Sequence, residues 1–424
     1  MTKELNFICA ADVHLGRIVE GKNSLQRLSY VILAWERLIE TCLNHYPKID
    51  ALLLAGDLID QDALFIEMQG VVRKGITRLI EHGIPVIAIA GNHDAKTLVK
   101  LNSLFSLPEF HLLGGKGEWE RKTFIFQDRR VHVDGISFTE PSMLDNPLNR
   151  YHLPAVDRGE ILIGLLHCDV DVVTSRYAPV SSADFCRFPH DAWILGHIHV
   201  PQNIHDQSPF VKYCGSLQGL DIGESGSRGA CVLTIDPVGR VSAKPITLAP
   251  LRWEQVVVDL SEVTSEGWEE AVLRKIEESL SIQVIDYEFV ELIGVRLVFE
   301  GRIEFFRELR RNLSRFQDQE SALLNLNGKS IPYFIESIKN RTRPAWDLIR
   351  ISEGGDFVAV LAKKLLQYQQ QIQLPHGIYE QFELRLRREP FLKQCDQSWP
   401  SENECRELCL SRGLELLDEL LEQK

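Results

Sequence analysis

Five apolar runs in this chain stop abruptly at residues able to do chemistry. Phe7–Ala11 runs into Asp12 and His14, and Ala51–Ala55 into Gly56 and Asp57. Pro85–Ala90 ends in Gly91-Asn92-His93-Asp94, Ile161–Leu166 ends at His167, and Trp193–Leu195 ends in Gly196-His197-Ile198-His199. Asp12, His14, Asp57, Asn92, His167, His197 and His199 together offer two carboxylates, an amide oxygen and four imidazoles. Mixed oxygen and nitrogen donors without thiolate suit borderline divalent ions such as Mn, Fe or Zn. Seven donors are too many for one tetrahedral ion but about right for two ions sharing a carboxylate. Two-metal sites, with ions ~3.5–4 Å apart, are the usual apparatus for in-line attack at phosphorus. His93 follows Asn92, is not needed as a ligand, and is placed to protonate the leaving oxygen or stabilise the transition state. Each piece alone is weak, because Asp-x-His arises by chance and a lone histidine is more often structural. Five in order, each after a strand, are hard to obtain by chance.

The apolar runs read as fully buried strands, and open α/β sheets place ligands just beyond the carboxyl ends of their strands. Between the first two, Leu28, Val31, Ile32, Trp35, Leu38, Ile39 and Leu43 have helical spacing over 24–46 and stop at Pro47. A second helix is predicted over about 63–82, ending at Gly83. This βαβαβ order implies a parallel sheet with helices on its faces. Residues 95–120 read as less regular, and Gly114–Gly117 as a turn rather than a phosphate loop, since no helix with Lys-Ser/Thr follows it. Strands near 123–127 and 131–138 lead to a loop at 139–159. A second loop at 168–190 carries Tyr177-Ala-Pro-Val-Ser-Ser, which could form part of a substrate rim. Short strands at 209–214, 229–235 and 241–248 are predicted to close a second sheet.

Metal-type residues stop between Pro245 and Trp253, which marks a domain boundary. Residues 254–340 read as a small α/β domain, with helices at 266–280 and 304–316. The latter opposes an apolar stripe of Phe306, Leu309, Leu313 and Phe316 to Arg307, Arg311 and Arg315. Those arginines could contact phosphates, though a solvated face paired with Glu304 and Glu308 is the plainer reading. In the tail, Val358, Leu361, Leu365, Tyr368 and Ile372 form one heptad-like seam, and Leu410, Leu414, Leu417 and Leu421 another. Ser401-Glu-Asn-Glu404 makes a capping box for the second helix. The stripes are too narrow for cores of their own, so these helices pack on each other, on the body or on a partner.

The length of 424 residues allows two or three domains. With 44% hydrophobic and 25% charged residues the composition is that of a soluble globular protein, and no run reaches the ~20 apolar residues that span a bilayer. The first residues run straight into a strand, which leaves no room for a signal peptide. Nine scattered cysteines, an odd number, read as reduced thiols in a cytosol, so a cytoplasmic location away from any membrane is expected. The net charge of −13 excludes autonomous, non-specific binding to nucleic acid through an overall basic surface. If nucleic acid is the substrate, a local patch or a partner must supply the attraction.

Motif for motif over residues 5–250, the chain resembles the calcineurin-like metallophosphoesterase superfamily. Ala11–Gly16, Ala55–Asp60 and Leu195–His199 resemble its bacterial DNA repair exonuclease branch, the SbcD and YhaO type. The resemblance implies an α/β fold, a two-sheet sandwich flanked by helices, as a catalytic domain over 1–250. A small α/β capping-like domain over 251–340 and a helical tail over 341–424, a possible partner-docking region, would follow. It implies that Asp12, His14, Asp57 and His199 hold one divalent ion, that Asp57, Asn92, His167 and His197 hold the other, and that His93 is the catalytic histidine. Manganese is the family's usual metal. The implied activity is that of a DNA exonuclease or endonuclease in repair, with a metal-activated water attacking the phosphodiester. The implied partners are DNA and an SMC-like coiled-coil ATPase of the SbcC type, with a homodimer left open. The chain has Asp60 where archaeal and eukaryotic relatives carry histidine, and Leu166 where many members have glycine. The motifs define chemistry and not substrate, so a phosphodiesterase or phosphatase on a small molecule or phosphoprotein competes, as does a regulatory subunit of an SMC-like ATPase. The ~170 residues beyond the catalytic domain favour the nuclease.

Overall fold

A computed structural model describes residues 4–19, 27–60, 65–282, 288–317, 322–326, 329–370 and 402–422. The chain divides into two compact units. One comprises residues 1–255, 281–296 and 320–336, and the other 256–280, 297–319 and 337–424.

The first unit is built on two six-stranded sheets. Its strands are β1 (Leu5–Ala10), β2 (Ala51–Ala55), β3 (Val86–Ile89), β4 (Phe110–Leu112), β5 (Glu120–Phe126), β6 (Arg129–Gly135), β7 (Ile161–His167), β8 (Asp169–Val170), β9 (Pro179–Val180), β10 (Ala192–Gly196), β11 (Gln202–His205), β12 (Phe210–Tyr213), β13 (Gly229–Ile235) and β14 (Val241–Thr247). The sheet orders are β14-β13-β1-β2-β3-β4 and β11-β12-β10-β7-β6-β5, with β8 and β9 forming a small separate ladder. Strands β1 to β4 are parallel neighbours, as the βαβ pattern requires. Alternation of side chains along each strand explains the layering. Leu53, Ile87 and Ile89 face Val133, Ile163 and Ile194 in the core between the sheets. Leu52, Leu54, Val86 and Ala88 instead pack under the helices Arg27–Asn44 and Phe65–Glu81. Leu166, Trp193, Leu195 and Val211 cover the outer side of the second sheet. Strands buried on both faces have no polar side to show, which is why these runs are continuously apolar.

Two local expectations need correction. Strands β13 and β14, predicted to close the second sheet, extend the first, with β13 antiparallel to β1 in the register Leu5↔Ile235 to Cys9↔Cys231. Strand β1 has β2 on one side only, and an apolar partner on the other satisfies its second row of backbone groups. The stretch 95–120 contains the helix Thr97–Phe105, which buries Leu98, Leu101 and Phe105, and the short β4.

A four-stranded sheet in the order Leu251–Asp259, Leu292–Glu300, Lys329–Asn340, Ala322–Leu326 contributes residues to both units. In the second unit Trp268 meets Phe316 at 4.8 Å between ring centroids. The helices Phe357–Gln370 and Glu402–Glu422 bring their seams together. Val358, Leu365 and Leu417 are buried in one cluster, with Leu410, Leu414 and Leu421 against it. Ile372 and Ser401 lie outside the described residues. Asp418, 2% exposed, anchors the second helix to Arg302, whose Nη1 stands 3.1 Å away, and to the Trp346 indole. Among the described residues no helix is long and apolar enough to cross a membrane.

Candidate metal centre

All eight residues singled out from the sequence come together at the carboxyl ends of β1, β2, β3, β7 and β10. The turns after β1 and β2 run side by side, because the Asp12 amide donates to the Gly56 carbonyl at 3.1 Å and the His14 amide to the Asp57 carbonyl at 3.0 Å. Asp12 (φ 48°), His14 (φ 50°), Asp57 (φ 53°) and His197 (φ 97°) all adopt left-handed backbone conformations. Such conformations cost a non-glycine residue roughly 1–2 kcal/mol, and functional sites concentrate them. The motif glycines are spatial requirements. A Cβ at Gly91 would sit 2.2 Å from Asp57 Oδ1, and one at Gly196 2.1 Å from the Ala55 carbonyl oxygen.

The donors form a continuous arc. His199 Nε2 lies 3.2 Å from His14 Nε2, and His14 Nε2 lies 3.9 Å from Asp57 Oδ2. Asp57 Oδ2 is 3.3 Å from His167 Nε2, which is 3.1 Å from Asn92 Oδ1. Asn92 Oδ1 is in turn 3.2 Å from His197 Nδ1. Asp12 closes the arc, accepting from the His197 amide at 3.0 Å. Donor atoms of Asp12, His14 and His199 all lie within 4.8 Å of one another, as do those of Asp12, Asp57 and His167. His167 is oriented by its other nitrogen, Nδ1, 3.0 Å from the Ala55 carbonyl.

The donor set fits divalent ions on electrostatic grounds. Asp12, His14, Asp57 and His167 are no more than 1% exposed. Buried carboxylates need compensating positive charge. Among the described residues no guanidinium or ammonium group lies within 4 Å of Asp12 or Asp57. The imidazoles must then take up the charge. Burial disfavours a charged His167, yet the Asp57 carboxylate raises it to about 9. Burial alone would raise Asp57, but His167, His14 and His93 hold it well below the usual carboxylate range. Two imidazole nitrogens 3.2 Å apart, as in His14 and His199, need a proton or a cation between their lone pairs.

His93 stands beside the arc. Its amide donates to Asp57 Oδ1 at 2.9 Å, its Nδ1 is 3.6 Å from Asp60 Oδ2, and its side chain is 34% exposed. Burial lowers its basicity, reinforced by the neighbouring His14.

Four carboxylates outside the expected ligand set support this arrangement. Asp94 accepts from the Leu58 amide at 2.7 Å and the Gly91 amide at 2.8 Å, and burial, together with Asp57, raises it to about 7. Asp60 lies 3.5 Å from His14 Nδ1 and pairs with Arg17 at 3.1 Å. Glu224 and Asp169 face His199 and His197. Asp94 and Asp60 lay within the quoted motifs, whereas Glu224 and Asp169 carry no spacing that would flag them.

The calcineurin-like phosphoesterase family model matches residues 5–201. The chain is 30% identical over 271 residues to the uncharacterized metallophosphoesterase YhaO of Bacillus subtilis, covering 62% of this chain and 65% of that protein. It is 26% identical over 391 residues to the DNA double-strand break repair protein Mre11 of Methanopyrus kandleri, covering 84% of this chain and 81% of that one. The SbcD component of the nuclease SbcCD of Staphylococcus epidermidis is 26% identical over 286 residues, with 60% and 72% covered. The chain thus spans just under two thirds of the length of the first of these relatives.

Proposed function

We propose, from the match of residues 5–201 to the calcineurin-like phosphoesterase family, that the chain is a dinuclear, divalent-metal phosphodiesterase that cleaves DNA. The arc of seven donors centred on Asp57 carries the reading. Asp12, His14, Asp57 and His199 would hold one ion and Asp57, Asn92, His167 and His197 the other, with manganese the metal. When bound, the ions lower the pKa of a water nucleophile and neutralise charge on phosphoryl oxygens. The protein's own part is to fix the donors in a buried frame and to present His93. Tied by its amide to Asp57 and partly exposed, His93 is the proposed donor of a proton to the leaving oxygen.

DNA as the substrate is supported by two relatives, one named as a DNA repair protein and one as part of a nuclease. The likeness to the first extends over 84% of this chain, well past residue 201, as a shared substrate would favour over shared chemistry alone. With a net charge of −13, the protein would gain DNA affinity from a partner, for which an SMC-like ATPase is proposed. Residues 251–340 would then serve as a capping domain and 341–424 as the docking region. The eight described cysteines are all free thiols, in keeping with a cytoplasmic location.

The test is a parallel assay of the manganese-loaded protein on linear DNA, hairpin DNA and an aryl phosphodiester. Cleavage of DNA as well as the aryl ester is expected. Hydrolysis of the aryl ester with both DNAs left intact, with and without the ATPase, would favour a small-molecule phosphodiesterase.

A further inference from the structure

Arg17 stands beside the donor arc and is held there by the same backbone pairing that builds it. The segment after β1 runs against the segment after β2. The Leu15 amide donates to the Leu58 carbonyl at 3.0 Å, and the Asp60 amide to the Leu15 carbonyl at 3.0 Å. The Arg17 amide then turns back to the His14 carbonyl at 2.9 Å, across Gly16 with φ 98°. This sets the guanidinium against Asp60, whose Oδ2 accepts from Arg17 Nη1 at 3.1 Å. The same oxygen lies 3.5 Å from His14 Nδ1 and 3.6 Å from His93 Nδ1. Arg17 is therefore one carboxylate away from the ring proposed to protonate the leaving oxygen. A structural arginine in the same unit is spent differently. Arg121, with a side chain 13% exposed, gives Nε and Nη2 to Asp134 and Nη1 to the Pro154 carbonyl. Arg17 gives Nη1 to Asp60 and, among the described residues, makes no other side-chain hydrogen bond, and its side chain is 48% exposed.

A guanidinium is a planar fork of five N–H donors whose geometry matches the oxygens of a phosphate. We propose that Arg17 binds a second phosphate of the substrate, the one next to the phosphate being cleaved, on the side of the leaving oxygen. The assignment rests on the phosphodiesterase reading above, and it narrows the substrate to chains in which phosphates recur, as they do in a nucleic acid. Asp60 steadies the fork through one nitrogen and leaves the others for the phosphate. In a chain of net charge −13 such a contact also works against the repulsion that a polyanion meets.

The experiment uses the manganese-loaded protein and three thymidine dinucleotides that share one internal phosphodiester. One has no terminal phosphate, one a 5′-phosphate and one a 3′-phosphate. The dinucleotide whose extra phosphate falls on the leaving side is expected to be cleaved with a kcat/KM on the order of 10–100-fold above the unphosphorylated one, the size of one charge-assisted contact. The gain should appear mainly in KM. Arg17→Gln, which removes the charge from an exposed side chain, should erase that preference, and Arg17→Lys, which keeps the charge without the fork, should retain part of it. An arginine that merely neutralised Asp60 would, when replaced, slow all three dinucleotides alike. Native protein that cleaves the three equally overturns the proposal, as does Arg17→Gln protein that keeps the native preference. Native protein inert toward all three overturns the phosphodiesterase reading and the proposal with it. A preference that is present in the native protein and lost in Arg17→Gln, with long DNA left intact, supports the role of Arg17 and overturns the DNA reading alone.

Discussion

Two buried polar clusters in the first unit look alike in composition and differ in charge balance. Around Asp134, which is fully buried, Arg121 forms a two-pronged pair at 2.6 and 2.8 Å. Tyr151 donates its hydroxyl at 2.6 Å, and His190 Nε2 lies 3.3 Å away. One carboxylate meets one guanidinium, and nothing further is needed. Around Asp57 the carboxylates of Asp12, Asp57 and Asp94 are equally buried, yet among the described residues no arginine or lysine stands within 4 Å of them. Among the described residues their cationic neighbours are imidazoles, which must be charged to serve. The first cluster closes on itself and holds β5 and β6 to the loop after β6. The second is open to added positive charge, as the proposed metal site requires and a structural ion pair does not.

The largest effect expected from this contrast is on activity. Stripping divalent ions with a chelator should abolish phosphodiester hydrolysis, and Mn²⁺ should restore it, while the Asp134 cluster needs no ion to persist. Hydrolysis that survives exhaustive chelation would erase the distinction between the clusters. Next, His93→Ala should lower turnover by roughly 10²–10⁴-fold while the ions stay bound, as the loss of a proton donor predicts. Turnover and metal content measured on the same preparation check this, and loss of metal would make His93 a ligand.

Substitution of Asp134 should act in the opposite sense. Asp134→Ala leaves Arg121 half-buried without its carboxylate, and breaking such a pair typically costs about 3–5 kcal/mol. A denaturant titration should show that loss while metal content per folded molecule stays unchanged. A smaller destabilising effect is expected in the tail, where Leu417 is fully buried against Leu365 and Val358. Leu417→Ala should cost about 2–5 kcal/mol of the second unit's stability and spare hydrolysis of an aryl ester. The smallest is Arg311→Ala on the exposed face of helix Phe306–Gln317, within about 0.5 kcal/mol of neutral.

Much of this was legible in the sequence because both-faces-buried strands write themselves as unbroken apolar runs, and chemistry placed at their ends is then easy to see. Asp12, Asp57, Asn92, His167 and the histidine pair all follow such runs. Glu224 was not visible, since it reaches His199 from a loop 25 residues on in sequence and no periodicity ties it to the strand. The pairing of β13 with β1 was also hidden. Residues 229–235 show a good strand, but which edge it joins is decided by a register across more than 220 residues of chain. In the tail, the heptad spacing showed that the seams needed covering without showing that Leu365 and Leu417 cover each other.

Counting the bound ions tests the open cluster most directly. Native protein loaded with Mn²⁺ and freed of excess should hold two ions per chain, and Asp57→Asn, which removes the charge at the centre of the arc, should lower occupancy of both sites. Two full equivalents retained by Asp57→Asn would contradict the central place given to Asp57.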